Sequence, residues 1–167
     1  MANILIDGYN LMGIFHKNLE KARNDLIQKI SGYANTKNHN IVLVFDGQEE
    51  RPFEETKDRK GNTTVIYSSI GEKADHVIKN IIASSAHWIV VSSDREISTF
   101  AERHGSVALK TDEFENKLYL TFSANRKNQN NEPSEDDELG LMKREKKGNP
   151  KKLSKKDKRK KNALNKL

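Results

Sequence analysis

The sequence predicts an α/β fold built on a mostly parallel sheet. Three short apolar runs have the composition of buried parallel strands, and they end at Asp7, Asp46 and Asp94. Stretches with apolar residues at every third or fourth position lie between these runs, as in amphipathic helices. Strands that alternate with such helices are typical of parallel sheets with right-handed crossovers.

The first half of the chain begins with the strand that ends at Asp7. Residues 11–17 are predicted to form a loop, and residues 18–35 a helix with one apolar face. The second strand is predicted over residues 41–46. Residues 47–62 are polar and lack a sustained period, which is typical of a long loop that is functional or disordered. The apolar face of the helix consists of Leu19, Ala22, Leu26, Ile30 and Tyr33.

The second half of the chain completes a sheet of about five strands. A β-branched strand is predicted over residues 63–68 and is followed by a helix that begins near Glu72. After a strand at residues 88–92, Asp94 opens a short helix, and the last strand spans residues 107–109. Gly105 closes the short helix, and a further helix capped by Thr111 is expected to cover the sheet with Phe114, Leu118, Leu120 and Phe122.

Charge is distributed unevenly along the 167 residues. Residues 143–167 contain 13 Lys or Arg and two acids, a net charge of +11, whereas residues 1–142 carry a net charge of −5. With 34% hydrophobic and 32% charged residues, the chain is too polar to be globular throughout. We therefore expect a domain over residues 1–125, a polar and acidic linker over residues 126–142 and a disordered basic tail over residues 143–167.

Several classes of protein and site are disfavoured by the composition. The absence of cysteine excludes disulfides, thiolate metal sites and cysteine nucleophiles. No apolar stretch approaches the roughly 20 residues of a membrane span, and no signal peptide is visible, so we expect a cytoplasmic protein. Glycine-rich phosphate loops and Gly-x-Ser-x-Gly elbows are absent, and the five histidines lack the spacing of metal ligands.

The three aspartates that end the strands are expected to share one edge of the sheet. Parallel sheets bind ligands at the carboxyl ends of their strands, where Asp7, Asp46 and Asp94 would project, and Asp75 would face the same edge from the start of its helix. Four carboxylates in one crevice repel one another unless a cation intervenes. Oxygen ligands suit Mg²⁺ or Mn²⁺, and such an ion can promote hydrolysis of a phosphodiester.

Each acid also fits an ordinary role when it is considered alone. Asp94 could cap its helix, Asp75 could complement a helix dipole, and Asp46 could belong to an Asp-Gly turn. Jointly, however, acids at every expected ligand-facing position favour a site. Three neighbouring residues are candidates for a second layer that orients the acids or a bound water: Asn10, Glu72 and Ser93. For Asn10 and Glu72, ordinary turn or capping roles remain equally open.

Four segments together resemble the YacP-like NYN domain family, which belongs to the wider PIN-like nucleases. They are Ile-Asp-Gly-Tyr-Asn at 6–10, Val-Phe-Asp at 44–46, Gly-Glu-Lys-Ala-Asp at 71–75 and Ser-Ser-Asp-Arg at 92–95. The resemblance covers about residues 1–125. It implies a three-layer PIN-like (Rossmann-like) fold, metal-site roles for the four aspartates and a metal-dependent endoribonuclease that cleaves single-stranded RNA. A characterised branch of the family in Gram-positive bacteria acts on messenger RNA associated with translating ribosomes.

The basic residues predict contacts with the phosphates of RNA, because clustered cations release counterions from a nucleic-acid backbone. Messenger RNA or ribosomal RNA is the preferred partner, and a solvated tail without a dedicated partner is the alternative. No apolar face supports binding to a membrane surface. The candidate RNA-binding residues are Arg51, Lys57, Arg59, Lys73 and Arg95 in the domain, and Lys151, Lys152, Lys155, Lys156, Lys158, Arg159, Lys160 and Lys161 in the tail.

Two other functions remain open from sequence. The first is an RNA-binding or ribosome-binding module that keeps the fold without catalysis; four acids retained in one crevice argue against it, because they are costly without a cation. The second is a phosphohydrolase of small molecules that uses the same kind of cation. The haloacid-dehalogenase pattern would place a second aspartate where Tyr9 stands, and the basic tail favours a polymeric substrate.

Overall fold

The structure is a computed structural model that describes residues 1–13, 18–47, 56–85, 87–129 and 154–167, with the backbone alone for residues 124–129. Within these ranges the strands form one six-stranded sheet in the order β3-β4-β2-β1-β5-β6. All neighbouring strands are parallel except β3 and β4. The strands are β1 (Asn3–Asp7), β2 (Asn40–Phe45), β3 (Thr56–Lys60), β4 (Thr63–Tyr67), β5 (Ile89–Val91) and β6 (Val107–Leu109).

Helices cover both faces of the sheet. They are α1 (Gly8–Met12), α2 (Leu19–Lys37), α3 (Ala74–Ser84), α4 (Arg95–Arg103), α5 (Thr111–Gln129) and α6 (Lys155–Lys166). Side chains alternate across β1, so that Ile4 and Ile6 pack with α2 and α5 while Leu5 packs with α3 and α4. Ile4, Leu5 and Ile6 are all fully buried, which explains the continuous apolar run. The predicted three-layer α/β fold is therefore confirmed.

The described part of the chain contains no helix that is both long enough and apolar enough to cross a membrane.

Two loops expected from the sequence contain regular structure. Residues 8–12 form α1, so the prediction of a loop over residues 11–17 is wrong for residues 11 and 12. Residues 14–17 lie outside the described part of the chain. The polar segment 47–62 contains β3, an edge strand that pairs with β4 and adds a sixth strand to the sheet. Its side chains are mostly exposed, so hydrogen bonding to β4 holds it without any apolar pattern.

The last helix of the domain differs from the expectation in one side chain and in its length. Phe114 and Leu118 are buried as predicted, but Leu120 is 48% exposed and Thr121 is buried instead. The spacing from 114 to 118 to 121 follows the 3.6-residue period of a helix, and position 120 lies off that face. The helix also runs to Gln129, beyond the point near residue 126 where order was expected to end.

The prediction of a disordered basic tail over residues 143–167 is wrong for residues 154–167. This segment forms α6, with the side chains of Ala163 and Leu167 only 5% exposed. The Tyr33 hydroxyl donates a 2.9 Å hydrogen bond to the backbone oxygen of Leu167. The face of α6 that contacts the domain carries lysines as well as apolar residues, which is why the charge count concealed it: Lys156, Lys160, Ala163, Leu164 and Leu167. Residues 143–153 lie outside the described part.

Helix α6 covers the edge of the sheet at β6. The Lys156 ammonium lies 2.8 Å from Glu102 of α4, on one face of the sheet. The Lys160 ammonium lies 2.7 Å from Glu113 at the start of α5, and Leu167 reaches Tyr33 of α2 on the other face. The helix packs against β6 between these points. It therefore crosses from one layer to the other and shields an edge strand that would otherwise offer unpaired backbone groups.

Replacing Ala163 with aspartate should release α6 from the domain. The new carboxylate would be buried without a partner, which costs about 3 kcal/mol or more. We expect trypsin to cleave after the lysines of α6 at least tenfold faster than in the wild type, as measured by mass spectrometry. Asn162→Asp, on the exposed side of the same helix, is the control and should leave the cleavage rate nearly unchanged. Equal rates for all three proteins would contradict docking of α6.

Candidate active site at the carboxyl edge of the sheet

The order of strands creates a crevice between β1 and β5. From β1 the chain moves to β2 and β4 on one side, and it later returns to β5 and β6 on the other side. Ligands of open parallel sheets bind at such a reversal, outside the carboxyl ends of the strands. Asp7 ends β1, Asp46 follows β2, Asp94 follows β5 and Asp75 lies in the first turn of α3. All four predicted acids are therefore placed at this edge.

Asp7 is the most buried of the four acids, with 7% of its surface exposed. One carboxylate oxygen, Oδ1, accepts a hydrogen bond from the backbone N–H of Asn10 at 3.1 Å, and Oδ2 accepts one from the Ser92 hydroxyl at 3.3 Å. The pKa of Asp7 is raised from 3.8 to about 6, and burial is the main cause. The charges of Asp75 and Asp46 contribute to this increase, while the hydrogen bonds from Asn10 and Ser92 oppose it. Asp7 is therefore a carboxyl group whose charge is poorly compensated.

Asp75 is half-buried, and its pKa is raised as well. Burial is the main cause of its raised pKa, followed by the negative charge of Asp94, and Asp46 adds to the effect. The ammonium of Lys79, one helical turn further along α3, lowers this pKa. Electrostatic repulsion thus links Asp75 to Asp46 and Asp94, and it links Asp7 to Asp75 and Asp46.

Three of the acids also accept hydrogen bonds at helix N-termini. Asp7 caps α1 through the bond from Asn10. Asp46 Oδ1 accepts a 2.5 Å hydrogen bond from the backbone N–H of Ala74 and so caps α3 from a distant strand. Asp94 Oδ1 accepts bonds from the N–H groups of Glu96 and Ile97 at the start of α4. The capping role left open for Asp94 therefore exists, and Asp46 has a capping role that its Asp-Gly sequence does not suggest.

Ser92 is a functional candidate that sequence reasoning missed. Its hydroxyl donates to Asp7 and accepts a 3.1 Å hydrogen bond from the backbone N–H of Asp94, so it lies between two of the acids. Ile6 pairs with Val91 across β1 and β5, and one step further places Asp7 opposite Ser92. This register is not visible in the sequence. The signal that was available is a hydroxyl at the end of an apolar strand, immediately before Ser93 and Asp94.

The predicted second-layer residues have different surroundings. Asn10 orients Asp7 with its N–H, and its side-chain oxygen accepts a 2.9 Å hydrogen bond from the backbone N–H of Ser93, which joins the ends of β1 and β5. The Ser93 hydroxyl lies 2.7 Å from the Thr111 hydroxyl and so contacts the start of α5. The carboxylate of Glu72 lies 3.1 Å from His76 Nδ1. Among these contacts, only those of Asn10 reach one of the four acids.

The glycines that follow Asp7 and Asp46 are required by close packing. A β-carbon on Gly8 would lie 2.3 Å from the ring of Phe45, and one on Gly47 would lie 2.1 Å from the backbone oxygen of Ser68. The Ser68 hydroxyl also accepts a 2.9 Å hydrogen bond from the N–H of Gly47 and donates one to the backbone oxygen of Glu72. Ser68, which sequence reasoning also missed, thereby ties the segment after Asp46 to the loop that leads into α3.

The basic residues predicted to bind RNA fall into separate groups. Lys57 lies near the carboxyl edge, because β3 begins opposite Tyr67 at the end of β4. Arg59 lies further towards the opposite edge, where its Nε donates to the backbone oxygen of Gly61. Lys73 and Arg95 are exposed beside the starts of α3 and α4. Arg51, Lys151 and Lys152 lie outside the described residues.

Helix α6 divides its cations between two faces. Lys156 and Lys160 form the ion pairs with Glu102 and Glu113, so they serve the docking of the helix. The remaining predicted cations are exposed, and we call them the outer face of α6: Lys155, Lys158, Arg159 and Lys161.

The acids suit a hard divalent cation that has few direct protein ligands. Within the described residues, no three acidic or histidine side chains are arranged to hold one ion together. Mg²⁺ characteristically binds one or two carboxylates directly and retains several waters or binds substrate phosphates. The raised pKa values of Asp7 and Asp75 indicate negative charge that such an ion would neutralise. The donor chemistry therefore fits Mg²⁺ or Mn²⁺ with water completing the coordination.

Comparison of the sequence with known families gives a match along nearly the whole chain. The model of the YacP-like NYN domain family matches residues 4–166, which includes α6. A Bacillus subtilis (strain 168) protein described as "uncharacterized protein YacP" is 31% identical over 104 residues. That alignment spans 54% of this chain and 59% of the relative, so it covers a little over half of the relative's length.

Comparison with solved structures gives the same fold. The crystal structure of Rae1 (YacP) from Bacillus subtilis matches 77% of this chain and 80% of its own chain, with a TM-score of 0.62 and 22% identity. A point mutant of the same protein matches 76% of this chain and 80% of its own chain, with a TM-score of 0.61 and 21% identity. At this level of identity the likeness establishes the fold alone.

Asp7→Asn should stabilise the metal-free protein, and more so at higher pH. Because the pKa of Asp7 is raised to about 6 by folding, the folded state binds its proton more tightly, and stability is lost as pH rises from 3.8 through 6. Asparagine removes this loss, which amounts to about 3 kcal/mol at pH 7.5 and about half as much at pH 5. Urea unfolding in EDTA at both pH values measures the difference.

The exposed Asp25 of α2 supplies the control for this prediction. Asp25→Asn should change the free energy of unfolding by less than about 0.5 kcal/mol at either pH. A destabilising effect of Asp7→Asn at pH 7.5 would show that the carboxylate is compensated in the folded protein, contrary to the description above.

Proposed function

This chain belongs to the YacP-like NYN domain family, and on that premise we propose that it is a metal-dependent endoribonuclease that cleaves single-stranded RNA. The observation that carries the proposal is the crevice between β1 and β5, where a desolvated Asp7 lies within electrostatic range of two further carboxylates. Such a concentration of negative charge is unfavourable for the fold itself and is useful for binding a cation. The nuclease-like fold of the family supports the same activity.

The four aspartates would hold Mg²⁺ or Mn²⁺, one or two of them directly and the others through water. When bound, the ion would neutralise the scissile phosphate and make a water molecule more acidic. Asp75 is half-exposed and has a raised pKa, so it is the acid best suited to accept the proton that the attacking water loses. Asp7 is buried and held by Asn10 and Ser92, which suits a fixed, orienting role.

Cations around the crevice provide contacts for an RNA strand. Lys73 and Arg95 are exposed beside the acids and would bind the phosphates that flank the scissile bond. The outer face of α6 supplies four more positive charges without aromatic residues, which favours binding to the RNA backbone without base recognition. We include messenger RNA and the ribosome among the proposed partners, because the family resemblance implies them. The proposed location remains the cytoplasm.

A non-catalytic RNA-binding module is the second candidate. The observation that favours it is the capping role of Asp46 and Asp94, whose carboxylates accept backbone hydrogen bonds at the starts of α3 and α4. Capping alone would be a reason for the fold to retain these two acids. It does not account for Asp7, whose burial costs stability. Catalysis therefore explains more of the site than binding alone.

The nuclease proposal is tested by cleavage of a labelled messenger RNA, free and on translating ribosomes, with Mg²⁺, Mn²⁺ or EDTA. Asp7→Asn and Asp94→Asn should each lower the cleavage rate at least 100-fold, because each removes a charge that the ion requires. Asparagine is as good an N-cap as aspartate, so Asp94→Asn preserves α4. Asp25→Asn should cleave like the wild type.

The assay measures separately whether cleavage depends on metal, on the aspartates and on ribosomes. Cleavage that needs metal and both aspartates would support the nuclease, and a requirement for ribosomes would support a function linked to translation. Failure of the wild type to cut RNA in either format, with RNA binding intact in all variants, would favour the binding module instead.

Replacing all four residues of the outer face of α6 with glutamine should weaken RNA binding uniformly across sequences. The plot of log affinity against log salt concentration should become shallower by about 0.7 for each phosphate of a single strand that the variant no longer neutralises. Fluorescence anisotropy at several salt concentrations measures both quantities. A control replaces four exposed lysines elsewhere, Lys21, Lys29, Lys37 and Lys60, and should change the slope less. Equal slopes for the two variants would exclude a dedicated role for α6.

A further inference from the structure

An ion pair joins the two helices that carry Asp75 and Asp94. The Lys79 ammonium of α3 contacts Glu96 Oε1 of α4 directly. Lys79 follows Asp75 by one helical turn, and Glu96 follows Asp94 by two residues. The pair therefore lies immediately behind two of the four acids, where α3 and α4 pack together.

The stability of the fold does not explain this pair well. The side chain of Glu96 is 75% exposed and that of Lys79 is 22% exposed. Ion pairs with such an exposed partner contribute little to folding, because water screens the attraction and ordering two long side chains costs entropy. Both helices are also held by buried apolar residues, among them Ile78 and Ile97.

The charges of the pair act on the acids of the crevice. Lys79 lies one helical turn from Asp75 on α3, and the backbone N–H of Glu96 donates a hydrogen bond to Asp94 Oδ1, so each charge of the pair is close to one of the acids. The pKa of Lys79 is itself raised, first by its hydrogen bond with Glu96 and also by the charges of Asp75 and Asp94. The Lys79 ammonium therefore binds Glu96 of α4 and still interacts electrostatically with Asp75 and Asp94.

We propose that Lys79 and Glu96 form a charge-balanced pair that sets the affinity of the acidic edge for its divalent cation. This inference rests on the proposed metal-dependent function and adds two positioning residues to it. Lys79 weakens cation binding because it is positive and close to the acids, and Glu96 strengthens it. Their balance keeps the site from binding the ion so tightly that exchange becomes slow.

The test measures binding of Mn²⁺ alone by isothermal titration calorimetry at low salt. Lys79→Gln should bind Mn²⁺ about three- to tenfold more tightly than the wild type, and Glu96→Gln more weakly by a similar factor. Lys79→Arg keeps the charge and the double variant Lys79→Gln/Glu96→Gln restores the balance, so both should lie within about twofold of the wild type. All shifts should shrink at 0.5 M salt, because exposed charges are screened.

The opposite signs distinguish electrostatic tuning from a structural bridge. If the pair only spaces α3 and α4, both single variants will weaken Mn²⁺ binding and the double variant will not recover it, which overturns the proposal. Unchanged affinities in both single variants overturn it as well. Unfolding midpoints in EDTA should agree within about 3 °C, which confirms that the variants are folded.

The same titration separates this proposal from the function on which it rests. Wild-type protein should bind Mn²⁺, and Asp7→Asn should abolish that binding. If the wild type shows no binding that depends on Asp7, the proposed metal site fails and the inference fails with it. If Asp7-dependent binding is present but the two single variants do not shift in opposite directions, this inference alone is wrong.

Discussion

The burial of Asp7 is the constraint on which the candidate site depends. Parallel pairing of β1 with β2 and β5 leaves only 7% of this residue exposed, at the end of a fully buried strand. A carboxylate in that position loses much of its hydration, and two hydrogen bonds from Asn10 and Ser92 compensate only in part. The surrounding residues can be understood as means of holding this charge in place. A group that costs stability and is nevertheless held by specific contacts is characteristic of a functional position.

The acids connect the site to the fold through helix capping. Asp7, Asp46 and Asp94 accept backbone hydrogen bonds at the starts of α1, α3 and α4. The partial positive charge of a helix N-terminus stabilises an anion, so this arrangement partly offsets the repulsion among the acids. It also directs the starts of three helices towards one edge of the sheet. For these acids a structural role and a role in the site are therefore compatible, because the same carboxylate can cap a helix and contribute charge to the crevice.

The sequence predicted the layers, the parallel strands and the placement of the four aspartates at one edge, because buried strands that end in aspartate leave a strong local pattern. It did not predict β3, since an edge strand with exposed side chains needs no apolar alternation. It missed Ser92, because the pairing of Ile6 with Val91 is a long-range register. The expectation for Leu120 is wrong because it places every apolar residue of α5 on the sheet-facing side without regard to the helical period. The errors at β3 and Ser92 concern information that lies outside a short window of sequence.

Docking of α6 connects the basic C-terminal segment to the neighbourhood of the candidate site. The face of α6 that contacts the domain pairs Lys160 with Glu113, and Glu113 also accepts a hydrogen bond from the backbone N–H of Lys110, immediately before α5. At the start of α5 the Thr111 hydroxyl contacts Ser93, whose N–H binds Asn10 beside Asp7. The first turn of α5 is therefore in contact with both α6 and the candidate site. Since the match to the family also extends to residue 166, α6 is best regarded as part of the nuclease-like domain. The basic character of this helix then adds a cationic surface to an element that packs against the edge of the sheet.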